Sequence, residues 1–163
     1  MIKKFYIIPG WGETCRRRQY QSLAKSIQRK GYEVVFKNID WSKTLSKQLF
    51  AVEKDSIVFG FSMGAILAKL ITQSCECEHL ILASMTPLVY FKGGKKEKLL
   101  IDAIGKKAVF DIKKHLKTEN RARNRTIFYG DKEGISLGGA DVLVKNTEHE
   151  ISPNYIKEIL KVI

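Results

Sequence analysis

Residues 56–67 read Ser-Ile-Val-Phe-Gly-Phe-Ser-Met-Gly-Ala-Ile-Leu, and this stretch decides the fold. The short apolar run before Gly60 is typical of a buried strand, and the small and apolar residues after Gly64 are typical of a buried helix. Between them lies the pattern Gly-x-Ser-x-Gly. A turn this sharp leaves no room for a side chain at its flanking positions, which glycine satisfies. The segment therefore predicts a strand-turn-helix unit that exposes the hydroxyl of Ser62.

The same alternation of short apolar runs and longer amphipathic runs continues on both sides of this unit. Strands are predicted at 3–8, 32–37, 56–61, 79–84, 126–129 and 140–145. Helices are predicted at 15–30, 42–54, 63–74 and 153–162, with a basic, partly helical stretch at 95–117. Short apolar strands separated by helices indicate a parallel sheet covered on both faces. We predict one α/β domain spanning residues 1–163, with about six mostly parallel strands and helices on both faces.

Composition excludes several other classes of protein. With 44% hydrophobic and 28% charged residues, the chain is neither disordered nor of low complexity. Its apolar runs fall far short of the roughly 20 residues of a membrane span, and the first apolar run is too short for a signal peptide. Three cysteines, an odd number, argue against a disulfide framework and predict a reducing, cytoplasmic location.

The net charge of +12 is concentrated in two segments, residues 15–30 and 92–125, which together hold the whole basic excess. Such a surface attracts acidic partners. The two segments contain few aromatic residues on which bases could stack, so we do not expect specific binding of nucleic acid.

A serine nucleophile needs a histidine base, and the chain has three histidines. His79 begins a predicted strand, at the amino edge of the sheet, and His115 lies in a lysine-rich helical stretch. His149 follows the last predicted strand, so it lies at the carboxyl edge, where Ser62 also lies. We therefore predict His149 as the base.

The acid that orients the histidine is expected in a loop at the same edge, between Ser62 and His149 in chain order. Asp131 directly follows a predicted strand at that edge and is the predicted acid. Glu133, two residues further on, is the alternative. Asp141 begins the last strand at the opposite edge, and Asp55 is a weaker candidate.

The oxyanion of an acyl-transfer reaction needs two backbone N–H donors. One is predicted to be the N–H of Met63, the residue after the nucleophile. The other is predicted to be the N–H of Trp11, in the glycine-rich loop Pro9-Gly10-Trp11-Gly12. The simpler alternatives are that this loop is only a turn, and that Gly60–Gly64 cradles a phosphate at a helix N-terminus. The pentapeptide lacks the Gly-Lys-Ser/Thr ending of a P-loop.

Together these residues resemble the α/β-hydrolases in a minimal form. The Gly-x-Ser-x-Gly pattern is complete, Gly130-Asp131 resembles the acid loop, and Pro9 replaces the usual histidine of the oxyanion loop. At the catalytic histidine the family's Gly-His is matched only in part, because Glu148 precedes His149. The resemblance implies a three-layer fold without a full cap domain, since the segment 86–98 is too short for one. It also implies a shallow, little-covered site.

What the resemblance implies about function is a serine hydrolase of carboxylic esters or thioesters that needs no cofactor and no metal. The Gly-Trp-Gly loop also resembles that of pimeloyl-acyl-carrier-protein methyl ester esterases of biotin synthesis. An acidic acyl carrier protein is the expected partner, docked on basic residues beside the entrance of the site: Arg16, Arg17, Arg18, Lys95 and Lys96. The alternatives are a thioesterase, an acyltransferase, or a non-catalytic protein of this fold that binds an acidic partner.

Overall fold

The structure is a computed structural model that describes residues 2–134 and 139–163. Its strands are β1 (Lys4–Ile8), β2 (Glu33–Phe36), β3 (Ile57–Phe61), β4 (Cys77–Ala83), β5 (Ala122–Gly130) and β6 (Val142–Val144). Its α-helices are α1 (Arg18–Arg29), α2 (Met63–Thr72), α3 (Gly94–Ile104), α4 (Lys106–His115) and α5 (Pro153–Ile159). One-turn 3-10 helices cover Leu45–Gln48 and Pro87–Tyr90. Within the described ranges the six strands form one parallel sheet, in the order β2-β1-β3-β4-β5-β6. The predicted fold class is confirmed.

Side chains alternate along each strand and build a separate core on each face of the sheet. Tyr6, Ile8 and Leu80 pack on the face covered by α2, α3 and α4. Phe5, Ile7 and Phe59 pack on the opposite face, which α1 and α5 cover. The strands in the middle of the sheet are therefore apolar on both faces, as expected for a parallel sheet between two layers of helices.

The sequences of α1 and α2 reflect how much of each helix is buried. Helix α1 buries one stripe, Tyr20, Leu23, Ala24 and Ile27, and exposes its basic residues. It ends before Gly31, whose φ of 89° is a conformation that glycine adopts readily. Helix α2 is buried at all ten of its positions, which explains why almost all of its residues are apolar or small.

The predicted helix over 42–54 is wrong, because only the single turn Leu45–Gln48 is helical. From Leu49, with ψ of 141°, the chain is extended. Phe50 packs its ring 5.9 Å from that of Tyr6, and Val52 also packs against the core. Of the three apolar residues at helical spacing, Leu45 is buried and Val52 packs against the core, whereas Leu49 is 46% exposed. The spacing therefore did not correspond to one buried helical face.

Two other elements differ in extent from their predictions. The basic stretch 95–117, predicted to be partly helical, contains most of two helices, which are divided at Gly105, whose φ is 86°. Strand β5 begins four residues earlier than predicted, and its first half carries arginines on the surface; Arg123 pairs with Glu78 at 2.8 Å.

The glycine-rich loop 130–139 is described at 130–134 and at 139 only. Across the described part of the chain, no helix is both long enough and apolar enough to cross a membrane.

The glycines of the turn between β3 and α2 are fixed by close backbone contacts. A Cβ placed on Gly60 would lie 2.3 Å from the carbonyl oxygen of Gly64. A Cβ placed on Gly64 would lie 2.4 Å from the carbonyl oxygens of both Ile8 and Pro9. Helix α2 therefore begins directly against the backbone at the end of β1, and the position of this turn is set by steric exclusion.

The close contact of Gly64 with the carbonyl oxygens of Ile8 and Pro9 predicts that Gly64→Ala lowers the free energy of unfolding by about 3 kcal/mol or more, because backbone rather than a flexible side chain must move. The matched control is Gly31→Ala, where no atom lies within 4 Å and only the positive φ opposes the substitution. The Gly31→Ala substitution should lower the free energy of unfolding by about 1 kcal/mol. Thermal and urea unfolding of the two variants measure the difference. Equal losses of stability would contradict the steric argument.

Candidate active site

Ser62 occupies the turn between the end of β3 and the start of α2 in a conformation that few residues adopt. Its φ is 54° and its ψ is −117°. The backbone N–H of Ser62 donates to the carbonyl oxygen of Ala83 at 2.8 Å, which holds the turn against the end of β4. A non-glycine residue held in such a conformation stores strain that the surrounding structure must balance. This is the geometry that a nucleophile elbow requires.

His149 lies in the loop between β6 and α5, and its Nε2 is 2.9 Å from Oγ of Ser62. Its ring packs on that of Phe61, with the two centroids 5.0 Å apart. The side chain of His149 is half exposed. The structure therefore brings together the predicted serine and the predicted histidine.

The carboxylate beside His149 belongs to Glu133 and not to Asp131. The prediction of Asp131 at this position is therefore wrong, and Glu133, the alternative, lies next to the imidazole. Oε2 of Glu133 lies 2.9 Å from Nδ1 of His149. Asp131 points away and accepts the backbone N–H of Thr147 at 3.1 Å. The backbone N–H groups of Thr147 and Asn146 hold the pKa of Asp131 below its usual value. Asp131 thus braces the histidine loop, while the longer side chain of Glu133 reaches the ring.

The environment of Glu133 fixes its orientation. Its side chain is only 6% exposed. Its Oε1 accepts the backbone N–H of Gly130 at 2.7 Å and also the hydroxyl of Ser84. The hydroxyl of Ser84 lies 3.0 Å from that of Tyr155, and burial raises the pKa of Tyr155, which therefore stays a neutral phenol. Sequence reasoning missed Ser84 and Tyr155. The available signal was that Ser84 directly follows a strand at the carboxyl edge of the sheet.

These contacts determine where the proton of His149 lies. A buried carboxylate beside Nδ1 accepts a hydrogen bond, so Nδ1 carries the proton and donates to Glu133. Nε2 is then unprotonated and accepts the hydrogen bond of the Ser62 hydroxyl. The arrangement can remove a proton from Ser62 and hold it on the imidazole.

The loops that carry Glu133 and His149 lie directly against each other. A Cβ placed on Gly130 would be 2.2 Å from the carbonyl oxygen of Thr147, so only glycine fits there. The backbone N–H of Lys132 donates to the same oxygen at 3.0 Å. Glu133 and His149 are therefore positioned as one unit at the ends of β5 and β6.

The loop predicted to form the oxyanion hole adjoins Ser62. A Cβ on Gly10 would lie 3.4 Å from the Cβ of Ser62. The loop is held by Tyr20, whose hydroxyl accepts the N–H of Gly10 at 2.8 Å and donates to the carboxylate of Glu13. Trp11 and Met63 both line the cavity that contains Ser62. Met63 is the first residue of α2, so its N–H has no partner within the helix.

The cavity beside Ser62 has a volume of about 330 Å³ and is mostly apolar. Its walls come from the loop after β4 and from the second half of α3, and include Met85, Pro87, Leu88, Leu100 and Ile104. The sequence suggested a shallow, little-covered site. In the structure the segment 87–104 forms one wall of the cavity, although it is not a cap domain.

The five predicted docking residues are exposed, and none of them lines this cavity. Arg16, Arg17 and Arg18 follow the loop of Trp11, and Arg17 pairs with Glu13 of that loop at 2.7 Å. Lys95 and Lys96 lie in the first turn of α3, with Nζ of Lys96 4.0 Å from the centroid of the Phe91 ring. Their role remains a prediction.

The different positions of Glu133 and Asp131 predict different effects on the reactivity of Ser62. Glu133→Gln should slow covalent labelling of Ser62 by a fluorophosphonate about 10³-fold, since an amide favours the wrong tautomer of His149. The matched variant Asp131→Asn should keep most of the wild-type rate, because its amide oxygen still accepts the N–H of Thr147. Rates from intact-protein mass spectrometry decide between them. Slow labelling of Asp131→Asn with normal labelling of Glu133→Gln would reverse the assignment.

No protein-family model matches the sequence, and no curated protein is significantly similar to it. Solved structures do match. Est1E from Butyrivibrio proteoclasticus superposes with a TM-score of 0.66 and 12% identity, over 99% of this chain and 85% of Est1E. Alpha/beta hydrolase domain-containing protein 10 from mouse gives a TM-score of 0.66 and 10% identity, over 98% of this chain and 87% of that protein. An alpha-beta hydrolase from Vibrio vulnificus gives a TM-score of 0.57 and 11% identity, over 98% of this chain and 74% of that protein. With its six-stranded parallel sheet and its serine at the turn into α2, the chain has the α/β-hydrolase fold in a minimal form.

Proposed function

We propose that this protein is a serine hydrolase of carboxylic esters or thioesters, with Ser62 as nucleophile, His149 as base and Glu133 as the acid that orients the base. The observation that carries the proposal is the continuous chain of hydrogen bonds from Glu133 through His149 to Ser62, with 2.9 Å at both links. The fold supports it, since solved structures that share it include an esterase and several hydrolases.

The reaction follows from this geometry. Oγ of Ser62 forms a bond to the acyl carbon while its proton passes to Nε2 of His149. The negative charge that develops on the carbonyl oxygen is stabilised by the N–H groups of Trp11 and Met63. The carbon–oxygen or carbon–sulfur bond then breaks, and the imidazolium returns its proton to the leaving group. Water, deprotonated by the same histidine, hydrolyses the acyl-enzyme and restores Ser62.

An apolar acyl chain fits the cavity of about 330 Å³ beside Ser62. The specific substrate we propose to test first is a pimeloyl-type methyl ester carried by an acyl carrier protein, which the Gly-Trp-Gly loop suggested. Its acidic carrier would meet the exposed Arg16, Arg18, Lys95 and Lys96. The free state of all three cysteines supports a location in the reducing cytoplasm.

Removal of the nucleophile tests the proposal. Ser62→Ala should lower kcat for an aryl ester by about 10⁴-fold or more, because attack by a bound serine is lost while the fold is kept. Stopped assays with aryl esters and acyl thioesters, together with fluorophosphonate labelling, measure this. Thermal unfolding of the variant controls for its stability. A wild-type protein that neither labels nor hydrolyses any acyl ester would favour a non-catalytic binding protein, and transfer of the acyl group to an alcohol in preference to water would favour an acyltransferase.

The docking proposal has its own test. A variant with Arg16, Arg18, Lys95 and Lys96 each changed to Glu should lose about tenfold or more in kcat/KM on a carrier-bound ester, most strongly at low salt. Arg17 is left unchanged because it braces Glu13 in the oxyanion loop. Turnover of a small neutral ester should stay near the wild-type rate. A loss on both substrates, or on neither, would refute docking at this surface.

A further inference from the structure

A second cavity, of about 240 Å³, lies beside the catalytic one between the segment 41–47 and the junction of α3 and α4. We call it the basic cavity; its lining includes Ser42, Lys43, Thr44, Lys47, Ile104 and Lys107. Unlike the catalytic cavity, it is lined mainly by polar groups. Three of its side chains carry a positive charge, and none carries a negative one.

Two of these lysines have no counter-ion. Among the described residues, no carboxylate lies within 4.0 Å of Nζ of Lys47 or Lys107. Lys43 differs, since its Nζ pairs with Asp40 at 2.9 Å. Hydrogen bonds from Ser42 and Lys43 lower the pKa of Asp40 to about 2, so that pair stays ionised. The cavity therefore presents two uncompensated positive charges.

A hydrogen-bond donor at the same place also lacks an acceptor. Nε1 of Trp41 is buried and has no hydrogen-bond partner in the described part of the chain. Trp41 itself lines the basic cavity. A buried N–H without an acceptor is unfavourable and uncommon, so the hydrogen bonding around Trp41 is not fully satisfied in this structure.

The basic cavity is next to the reacting groups. Ile104 lines both cavities. Trp41 contacts Trp11, with ring centroids 4.5 Å apart, and Trp11 lines the catalytic cavity next to Ser62. Because the two cavities adjoin, we expect one molecule to reach both, with its apolar acyl group in the first and an anionic group in the second.

We propose that the basic cavity binds a phosphate carried by the leaving group of the substrate. A phosphate monoester or diester supplies one to two negative charges and several strong acceptor oxygens, which match the two exposed lysines that have no carboxylate partner among the described residues. Two leaving groups share this chemistry: the phosphopantetheine arm of a thioester and the glycerol phosphate of an acyl ester. The carrier-bound methyl ester considered above releases methanol, so it would not use this cavity through its leaving group. This inference rests on the proposed function, because it assigns the substrate class of the same site.

The test compares ligands that differ only in the phosphate. Hexanoyl-phosphopantetheine is paired with hexanoyl-pantetheine, and hexanoyl-glycerol phosphate with hexanoylglycerol. Binding is measured on the Ser62→Ala variant, which cannot turn them over, by the fluorescence of Trp11 and Trp41, the only two tryptophans of the chain. In at least one pair, the phosphate-bearing compound should bind about tenfold more tightly. The pair that shows the preference identifies the leaving group.

The lysines are tested in the same assay. In the Ser62→Ala background, Lys47→Gln with Lys107→Gln should remove the preference, and Lys47→Arg with Lys107→Arg should retain it. The matched control changes Lys25 and Lys30 to Gln, which removes the same charge from the opposite face of the sheet and should leave the preference intact. Equal affinity within both pairs, or a preference that survives the loss of Lys47 and Lys107 charge, would overturn the proposal.

Turnover by the wild-type protein separates this inference from the proposed function. If both members of each pair are hydrolysed with equal kcat/KM, the hydrolase stands and the phosphate site fails. If the phosphate compounds bind selectively and none is hydrolysed, the site stands and the hydrolase fails.

Discussion

The backbone of Gly64 lies directly on the carbonyl oxygens of Ile8 and Pro9, and the rest of the site depends on that contact. It sets the start of α2 against the end of β1, which places Ser62 beside the loop of Trp11. The turn has glycine at both flanks because a Cβ on Gly64 would meet the carbonyl oxygens of Ile8 and Pro9, and a Cβ on Gly60 would meet the carbonyl oxygen of Gly64. Ser62 and the loop of Trp11 are thus brought together by exclusion of side chains, before any hydrogen bond among the polar groups of the site is considered.

A second close contact of a glycine, at Gly130, positions the loops that carry Glu133 and His149. Gly130 allows the end of β5 to lie on the carbonyl oxygen of Thr147, so the acid loop and the histidine loop share one position at the sheet edge. Asp131 strengthens that contact by accepting the N–H of Thr147, and Glu133 is left to face His149. The two carboxylates near the site therefore have separate roles, one holding the loops together and one facing the imidazole.

Much of this arrangement could be predicted from the sequence, and the failures have physical causes. Ser62 and His149 follow apolar strands, and parallel strands bring their carboxyl ends to one edge, so their meeting was predictable. Asp131 and Glu133 lie two residues apart in one loop. The directions of their side chains depend on the turn that the chain makes at Gly130, and the order of the residues alone did not show which carboxylate would face His149. The predicted helix over 42–54 failed because packing over the sheet, rather than local periodicity, determines the path of Phe50 and Val52. The segment 86–98 was predicted to be too short for a cap domain, yet the helix α3 that begins within it is enough to form a wall of the cavity.

The hydrogen bonds of Tyr20 have a consequence for the energy of the reaction. This buried tyrosine is fixed in α1 and joins the N–H of Gly10 to the carboxylate of Glu13, while Gln19 also approaches that carboxylate. In the proposed reaction this loop faces the developing oxyanion, and its shape is set by the folded core rather than by the substrate. Dipoles oriented in this way need little reorganisation when charge appears, whereas water dipoles must turn to meet it. The cost of orienting them is part of the folding free energy, so a small domain can supply an electrostatic environment of the kind found in much larger enzymes.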